Sequence, residues 1–160
     1  MHLIDDIFAD NFLQRKLGFS YAAELDCDKL IVGGHSFGGM TAISVAEKDL
    51  RIKAVFCFDA WTWAKDQEIL SGNLKLTQPQ IHIITEHFPA LNDKVFSMDL
   101  RNSINSVIKF GKSEKKELIT LKNCHHYHQS DLICLLPVES FVRTKLKPQT
   151  NVCELYLLNT

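Results

Sequence analysis

Apolar residues recur along much of the chain at the three- to four-residue spacing of amphipathic helices. The first stretch with this spacing covers residues 3–17, where polar residues separate the apolar positions. The same spacing predicts helices over 37–47, 95–110 and 129–146. Because Pro137 lies within the last of these stretches, we expect it to kink or divide that helix.

Short continuous apolar runs, which are typical of buried strands, lie between the helical stretches. They occupy residues 29–32, 52–58, 81–85 and 118–121. This order of strands and helices builds a mostly parallel sheet with flanking helices, so the pattern predicts the α/β class. Since the first predicted strand follows a helix, we expect a partial α/β domain that lacks its N-terminal strands.

Length and composition narrow the class of protein further. A chain of 160 residues with 46% hydrophobic and 23% charged residues is expected to form a single globular domain over 1–160. Its net charge of −1 supplies no basic field, so no nucleic-acid partner is expected. The five cysteines are scattered and form no Cys-x2-Cys pair, which argues against a disulfide framework and favours a reducing compartment. We therefore expect a cytoplasmic protein.

A cluster of glycines lies between the first predicted strand and the helix at 37–47. Gly34-x-Ser36-x-Gly38 matches the nucleophile elbow, a sharp strand-to-helix turn that exposes a serine oxygen. We expect glycine at both flanking positions because a side chain there would strike the neighbouring strand or helix. Ser36 is thus the predicted nucleophile, and the Phe37 N–H at the helix N-terminus is the predicted oxyanion donor.

A serine nucleophile needs a base, and the base needs an acid that orients it. In α/β-hydrolases these residues follow the serine in the order acid, then histidine. Asp59 comes directly after the predicted strand 52–58 and is the first candidate acid. The competing acids are Asp66, Glu86 and Asp93.

The loop after the last predicted strand contains three histidines, and one of them is the predicted base. The alternative is a metal site on Cys124, His126 and His128. The loop has neither Cys-x2-Cys nor His-x3-His spacing, and no second ligand cluster is evident in the sequence. The spacing therefore favours a catalytic histidine, and no metal or other cofactor is expected.

Three segments carry a family likeness: GHSFGG at 34–39, Phe58-Asp59-Ala60-Trp61, and 119–122 leading into His126 and Asp131. Together they resemble the platelet-activating factor acetylhydrolases of the plasma and intracellular type II kind, from about residue 29 onward. GHSFGG is shared with other hydrolases, whereas Asp-Ala-Trp directly after the next strand is more particular. The chain thus resembles a C-terminal portion of that family's catalytic domain.

The resemblance implies an α/β-hydrolase fold and a triad of Ser36, Asp59 and His126. His126 is chosen because it alone is followed five residues later by an aspartate, and His128 is the fallback because it alone is followed by glutamine. The family also has an earlier segment with a second oxyanion N–H, which nothing in this sequence matches. Asn123 and Cys124 stand where the family has a glycine and a small residue, so the histidine loop is expected to differ in shape.

The implied function is a serine esterase that hydrolyses the short or oxidised sn-2 acyl ester of platelet-activating factor-like phospholipids. The reaction would pass through an acyl-enzyme and would not depend on calcium. Trp61 and Trp63 would line an apolar mouth for a phospholipid at a membrane or lipoprotein surface, with packing as their alternative role. The alternative functions are a truncated or inactive hydrolase-like protein and a carboxylesterase or lipase with another ester substrate.

Overall fold

A mostly parallel sheet runs through the structure, a computed structural model that describes residues 2–9, 12–21, 23–129 and 155–157. Over these residues the strands are β1 (Ile31–His35), β2 (Ala54–Phe58), β3 (Gln80–Thr85), β4 (Lys116–Leu121) and β5 (Leu155–Leu157). They lie side by side in chain order, with β1 to β4 parallel and β5 antiparallel to β4. The predicted α/β class is confirmed.

Helices connect the parallel strands, because neighbouring parallel strands need a crossover connection and this is usually helical. Over the described residues, α3 (Phe37–Lys48), α4 (Asp66–Leu70), α5 (His87–Phe96) and α6 (Leu100–Phe110) lie between the strands, and α1 (His2–Ile7) and α2 (Phe12–Leu17) precede β1. Short 3₁₀ turns add Cys27–Lys29, Thr62–Lys65 and His126–Gln129. The helix predicted over 37–47 is confirmed by α3.

Two other predicted helices are each replaced by a pair of shorter helices. The stretch 3–17 divides into α1 and α2, because α1 ends at Ile7 and is followed by a turn at Phe8. The helix predicted over 95–110 is wrong at its start, because Ser97 ends α5 in a left-handed conformation. A new helix, α6, begins after Asp99, whose side chain accepts the Asn102 N–H at 2.9 Å.

The predicted strands are found with shifted ends. β1 does not stop at its glycines but continues to His35, and β2 begins at Ala54 rather than at residue 52. The helix predicted over 129–146, with its Pro137, falls outside the described residues apart from Gln129, which belongs to a 3₁₀ turn.

The core lies on one face of the sheet. α3 packs against β1 and β2 and buries Met40, Ile43 and Ala46, while α6 packs against β4. On the opposite face, Ile31, Phe56 and Ile81 remain partly exposed in the described part of the structure. The carboxyl ends of β1 to β3 lie at one edge of the sheet, and this edge carries the candidate site.

The cysteines differ in state. Cys57 is a free, buried thiol on β2, as its apolar surroundings predict. Cys124 is buried and disulfide-bonded, so the expectation of no disulfide framework does not hold for this residue. Among the described helices, none combines the length and the apolar character needed to cross a membrane.

Candidate active site

Ser36 lies in the turn between β1 and α3 and has an unusual backbone conformation. Its φ of 58° and ψ of −122° fall in a region that L-residues rarely adopt, which typically costs about 1–3 kcal/mol. The turn is held by β2 and the loop after it: the Ser36 N–H donates to the Phe58 carbonyl at 2.9 Å, and the Ser36 carbonyl accepts the Trp61 N–H at 2.8 Å. These bonds support the strained turn that presents the Ser36 hydroxyl.

The glycines around Ser36 serve different purposes. A Cβ on Gly34 would collide with the backbone of Gly38, so residue 34 must be glycine for α3 to start this close to β1. A Cβ on Gly39 would lie only 2.8 Å from the Ala60 Cβ. A Cβ on Gly38, however, would meet no atom of the described residues within 4 Å, so the predicted steric need for glycine there is wrong. The second glycine required by close packing is Gly39, where α3 approaches Ala60.

Asp59 is fully buried at the end of β2 and accepts four hydrogen bonds. Its Oδ1 accepts the Thr85 N–H at 2.6 Å, and its Oδ2 accepts the Thr85 hydroxyl at 2.7 Å. Oδ2 also lies 3.1 Å from His126 Nδ1 and 3.2 Å from Gln129 Nε2. A buried carboxylate needs such donors to replace its lost hydration. The carboxylate is therefore held in one orientation, facing His126.

The imidazole of His126 joins Asp59 to Ser36. His126 Nδ1 faces Asp59 Oδ2, and Nε2 lies 3.0 Å from Ser36 Oγ. Because a carboxylate oxygen accepts, Nδ1 carries the proton in the neutral ring, and Nε2 is left to accept the Ser36 hydroxyl proton. This is the tautomer that a general base acting on Ser36 requires. The structure thus brings together the three predicted triad residues, whose catalytic roles stay a prediction.

Glu86, a competing acid in the sequence, has a different role. Its carboxylate accepts the Asn123 N–H at 2.8 Å and pairs with Lys122 Nζ at 3.3 Å. Both bonds lower the pKa of Glu86, and the bond from the Asn123 N–H has the larger effect. Asn123 has a φ of 56°, the left-handed conformation that glycine adopts most easily and asparagine tolerates. Glu86 therefore fastens the histidine loop, while the other competing acids, Asp66 and Asp93, lie in α4 and α5.

The other histidines of the loop face elsewhere. His128 Nδ1 accepts the His125 N–H at 3.2 Å, and the His125 ring stacks on that of His87 at 4.3 Å. Burial, together with the nearby His87 and His128, lowers the pKa of His125. Of the two candidate bases, His126 is the one that contacts Ser36.

The proposed metal ligands Cys124, His126 and His128 do not form a set in the described part of the chain. The set with close donor atoms is His35, Asp59 and His126, whose ligand atoms lie within 4.8 Å of one another. Both ring nitrogens of His126 already face Asp59 and Ser36. The arrangement therefore matches a proton relay better than a metal site.

Aromatic side chains border Ser36. The Trp61 ring stacks on Trp63 at 5.8 Å and contacts Phe96 at 5.3 Å and Phe37 at 6.3 Å. Phe37 and Trp63 are 57% and 56% exposed, and an open groove of about 370 Å³ runs past Trp63 and Phe96. Both predicted tryptophans thus lie in an apolar wall beside the elbow, and Trp61 also packs against the core.

Sequence reasoning missed several residues of the site. Thr85 and Gln129 donate to Asp59, and the rings of His35 and Phe88 stack on that of His126. Thr85 could have been found, because it ends a predicted strand and parallel strands end at one edge of a sheet. The sequence marks Gln129 only as the residue that follows His128, and nothing in the pattern points to Phe88.

The chain has the arrangement of the α/β-hydrolase class. A strained serine lies between a strand and a helix, an acid follows the next strand, and a histidine follows β4. The sequence model of the family described as "Platelet-activating factor acetylhydrolase, isoform II" matches residues 9–155. The chain belongs to this family, as the sequence motifs predict.

Individual relatives are similar at low identity. The chain is 29% identical to a platelet-activating factor acetylhydrolase from Cavia porcellus over 67% of its length, and 26% identical to the one from Canis lupus familiaris over 82%. A third, from Bos taurus, is 36% identical over 40% of the chain. The matches span only 22%, 28% and 14% of these relatives.

Proposed function

We propose that this chain is a serine esterase that cleaves a short or oxidised sn-2 acyl ester of platelet-activating factor-like phospholipids, without calcium. The observation that supports this most directly is the continuous path from Ser36 Oγ through His126 to Asp59, with steps of 3.0 and 3.1 Å. The names of the relatives support the choice of substrate.

The proposed reaction starts when Ser36 Oγ attacks the ester carbonyl carbon and its proton moves to His126 Nε2. Asp59 stabilises the resulting imidazolium through Nδ1. The Phe37 N–H is the first of α3 and has no carbonyl partner within the helix, so it is oriented to stabilise the oxyanion. The leaving alcohol, a lysophospholipid, takes the proton from His126 as the acyl-enzyme forms.

The second half of the reaction regenerates the serine. His126 accepts a proton from water, and the hydroxide equivalent attacks the acyl carbon. Collapse of the tetrahedral intermediate breaks the bond to Ser36 Oγ, which recovers its proton from His126. The products are the free carboxylic acid and the original side chains.

The aromatic wall defined by Phe37, Trp61, Trp63 and Phe96 supports a lipid substrate. Aromatic side chains supply apolar area, and an exposed indole such as that of Trp63 suits a lipid–water boundary because it combines an apolar ring with a polar N–H. Phe37, which directly follows Ser36, and Trp63, which stacks on Trp61, expose much of their surface. We propose that this wall contacts the acyl chain and the membrane or lipoprotein surface that holds the phospholipid.

The serine chemistry is tested with a fluorophosphonate probe. We expect covalent labelling of the wild-type chain and none of Ser36→Ala, because the probe reacts with an activated serine. Ser20→Ala, at an exposed serine, is the matched control and should be labelled like the wild type. Labelling of Ser36→Ala to the wild-type extent would contradict the proposal.

The substrate is tested separately by comparing hydrolysis of a short-acyl phospholipid, a long-acyl phospholipid and a simple aryl ester. We expect the short-acyl phospholipid to have the highest kcat/KM. A preference for the aryl ester would reject the phospholipid assignment and favour a general carboxylesterase.

A further inference from the structure

His35, the variable residue of the G-x-S-x-G motif, directly contacts the candidate base. It is the last residue of β1, and its Nε2 lies 3.2 Å from the backbone carbonyl oxygen of His126. Because a carbonyl can only accept, the bond requires a proton on His35 Nε2. This bond ties the histidine loop to the strand that ends at Ser36.

The ring of His35 also covers one face of the His126 imidazole. The two ring centroids are 4.3 Å apart with the planes inclined by 27°. On the other face, the Phe88 ring stacks at 3.7 Å and 12°. Flat groups on both faces oppose rotation of the imidazole, while its edge stays free to reach Asp59 and Ser36.

We propose that His35 is a positioning residue that, together with Phe88, clamps the His126 imidazole in the plane joining Asp59 Oδ2 to Ser36 Oγ. This inference rests on the proposed function. A small misplacement of a catalytic group can cost about 10²-fold in rate, so the clamp is expected to affect kcat more than KM.

The clamp requires a neutral His35. The titratable groups that act on its ring are His126, on the histidine loop, and Asp59, directly after β2. Burial first, and then His126, lower the pKa of His35, against smaller opposing effects of the His126 carbonyl and Asp59. A second proton on His35 would place a cation against His126 when that ring must itself become an imidazolium.

The kinetic test uses three substitutions of His35. We expect His35→Ala, which loses both contacts, to lower kcat by about 10- to 100-fold with little change in KM. His35→Phe keeps the stacked ring, and His35→Gln keeps an N–H donor, so each should recover part of the loss. The control is His87→Ala, which removes an exposed histidine whose ring stacks on that of His125. Wild-type kcat in His35→Ala would overturn the proposal.

The acidic side of the pH profile gives a readout that a purely structural role would not change. Protonation of His35 adds an inactivating proton to the acidic side of the wild-type profile, so wild-type activity should fall more steeply with decreasing pH than that of a variant without this group. The activity of His35→Phe should fall less steeply at low pH, by the slope that corresponds to one proton. Equal slopes in the two proteins would contradict the proposal.

A measurement independent of activity separates this inference from the proposed function. In ¹³C-histidine NMR spectra of the full chain, the ring signals of His126 should be shifted by the rings on its two faces. His35→Ala should move these signals, and His87→Ala should not. If the fluorophosphonate probe fails to label the wild type, the proposed function fails, and these spectra still decide whether His35 holds His126. Unmoved His126 signals in a folded His35→Ala variant would overturn the clamp. If the alanine variant does not melt cooperatively, the His126 signals of His35→Phe and His35→Gln are compared with those of the wild type instead.

Discussion

Two polar clusters are buried in this sheet, and they differ in how their atoms are hydrogen-bonded. The Asp59 cluster (Asp59, Thr85, His126 and Gln129) lies at the carboxyl edge, where Asp59 accepts four hydrogen bonds. The His82 cluster is the set of buried polar residues Gln80, His82 and Thr120 on β3 and β4. His82 Nε2 lies 2.9 Å from Gln80 Oε1, and Thr120 is paired with Ile84, two residues along β3 from His82. Both Asp59 and His82 are at most 1% exposed.

Each residue of the His82 cluster leaves one buried atom without a partner among the described residues. These atoms are His82 Nδ1, Gln80 Nε2 and Thr120 Oγ1. In the Asp59 cluster, both carboxylate oxygens of Asp59 are bonded, and the unpaired buried atom among the described residues is Gln129 Oε1. Buried polar atoms without hydrogen bonds cost free energy, whereas a fully bonded carboxylate can remain charged in the interior. The comparison teaches that burial alone does not identify a site. The Asp59 cluster surrounds its carboxylate with hydrogen-bond donors, whereas the His82 cluster leaves buried polar atoms unpaired and favours a neutral imidazole.

The largest expected effect is on catalysis in the Asp59 cluster. Asp59→Asn should lower kcat by about 10⁴-fold, because an amide group facing His126 Nδ1 favours the wrong tautomer. Steady-state hydrolysis and the rate of fluorophosphonate labelling both measure this. Asp66→Asn, which changes an acid outside the cluster, is the control. A loss below tenfold in Asp59→Asn would remove Asp59 from the proposed mechanism.

The second effect is the acid sensitivity of the His82 cluster. Burial lowers the pKa of His82 from 6.5 to about 4, so between these values the unfolded chain binds more protons than the folded chain. Stability from this residue is thus fully present above about pH 6.5 and is lost as the pH falls toward 4, by about 3 kcal/mol. Urea unfolding as a function of pH measures it.

The control for acid sensitivity is His82→Leu, which removes the titrating group. Its free energy of unfolding should fall less steeply between pH 6.5 and pH 4 than that of the wild type. Parallel pH profiles would mean that His82 takes up its proton as readily in the folded chain as in the unfolded chain. The contrast between the two clusters would then disappear.

A matched pair of threonine substitutions sharpens the comparison. Thr85→Val removes the 2.7 Å hydrogen bond to Asp59 Oδ2 and should lower the free energy of unfolding by about 1–3 kcal/mol. Thr120→Val removes a buried hydroxyl that has no partner among the described residues, so it should be neutral or stabilising. Thermal melts of both variants measure the difference. Equal destabilisation by the two would show that the hydrogen bonds do not distinguish the clusters.

The smallest effect is expected at Gln129. Its 3.2 Å bond to Asp59 Oδ2 is the longest of the four, so Gln129→Ala should cost about 1 kcal/mol or less and lower kcat only a few-fold. Parallel kinetic and urea measurements test this. A loss as large as that of Asp59→Asn would make Gln129 a primary support of the carboxylate.

The positions of Ser36, Asp59 and the histidine loop could be predicted because each follows a readable local pattern, whereas the choice of His126 within that loop came from the family resemblance. Ser36 lies between an apolar run and a helical stretch, and Asp59 and the histidine loop directly follow apolar runs. Parallel strands place their carboxyl ends at one edge, so residues far apart in the chain are expected there together. The distance from Ser36 Oγ to His126 Nε2, across 90 residues, agrees with that expectation.

Other features could not be predicted from the pattern. The break between α5 and α6 depends on the left-handed Ser97 and the cap by Asp99, within a stretch whose apolar spacing is continuous. The need for glycine at residue 39 rather than 38 depends on how closely α3 approaches Ala60. Both are set by packing between elements rather than by spacing along the chain.

By itself, the sequence determined the α/β class, the strand-to-helix turn at Ser36 and the order of acid and histidine, because these depend on short-range periodicity and on the direction of parallel strands. Only the tertiary structure decided which histidine faces Ser36 and which side chains hold it. Thr85, Gln129, His35 and Phe88 reach the site from four different elements. Strand register and side-chain orientation across the packed sheet bring them together, and no pattern along one segment encodes that.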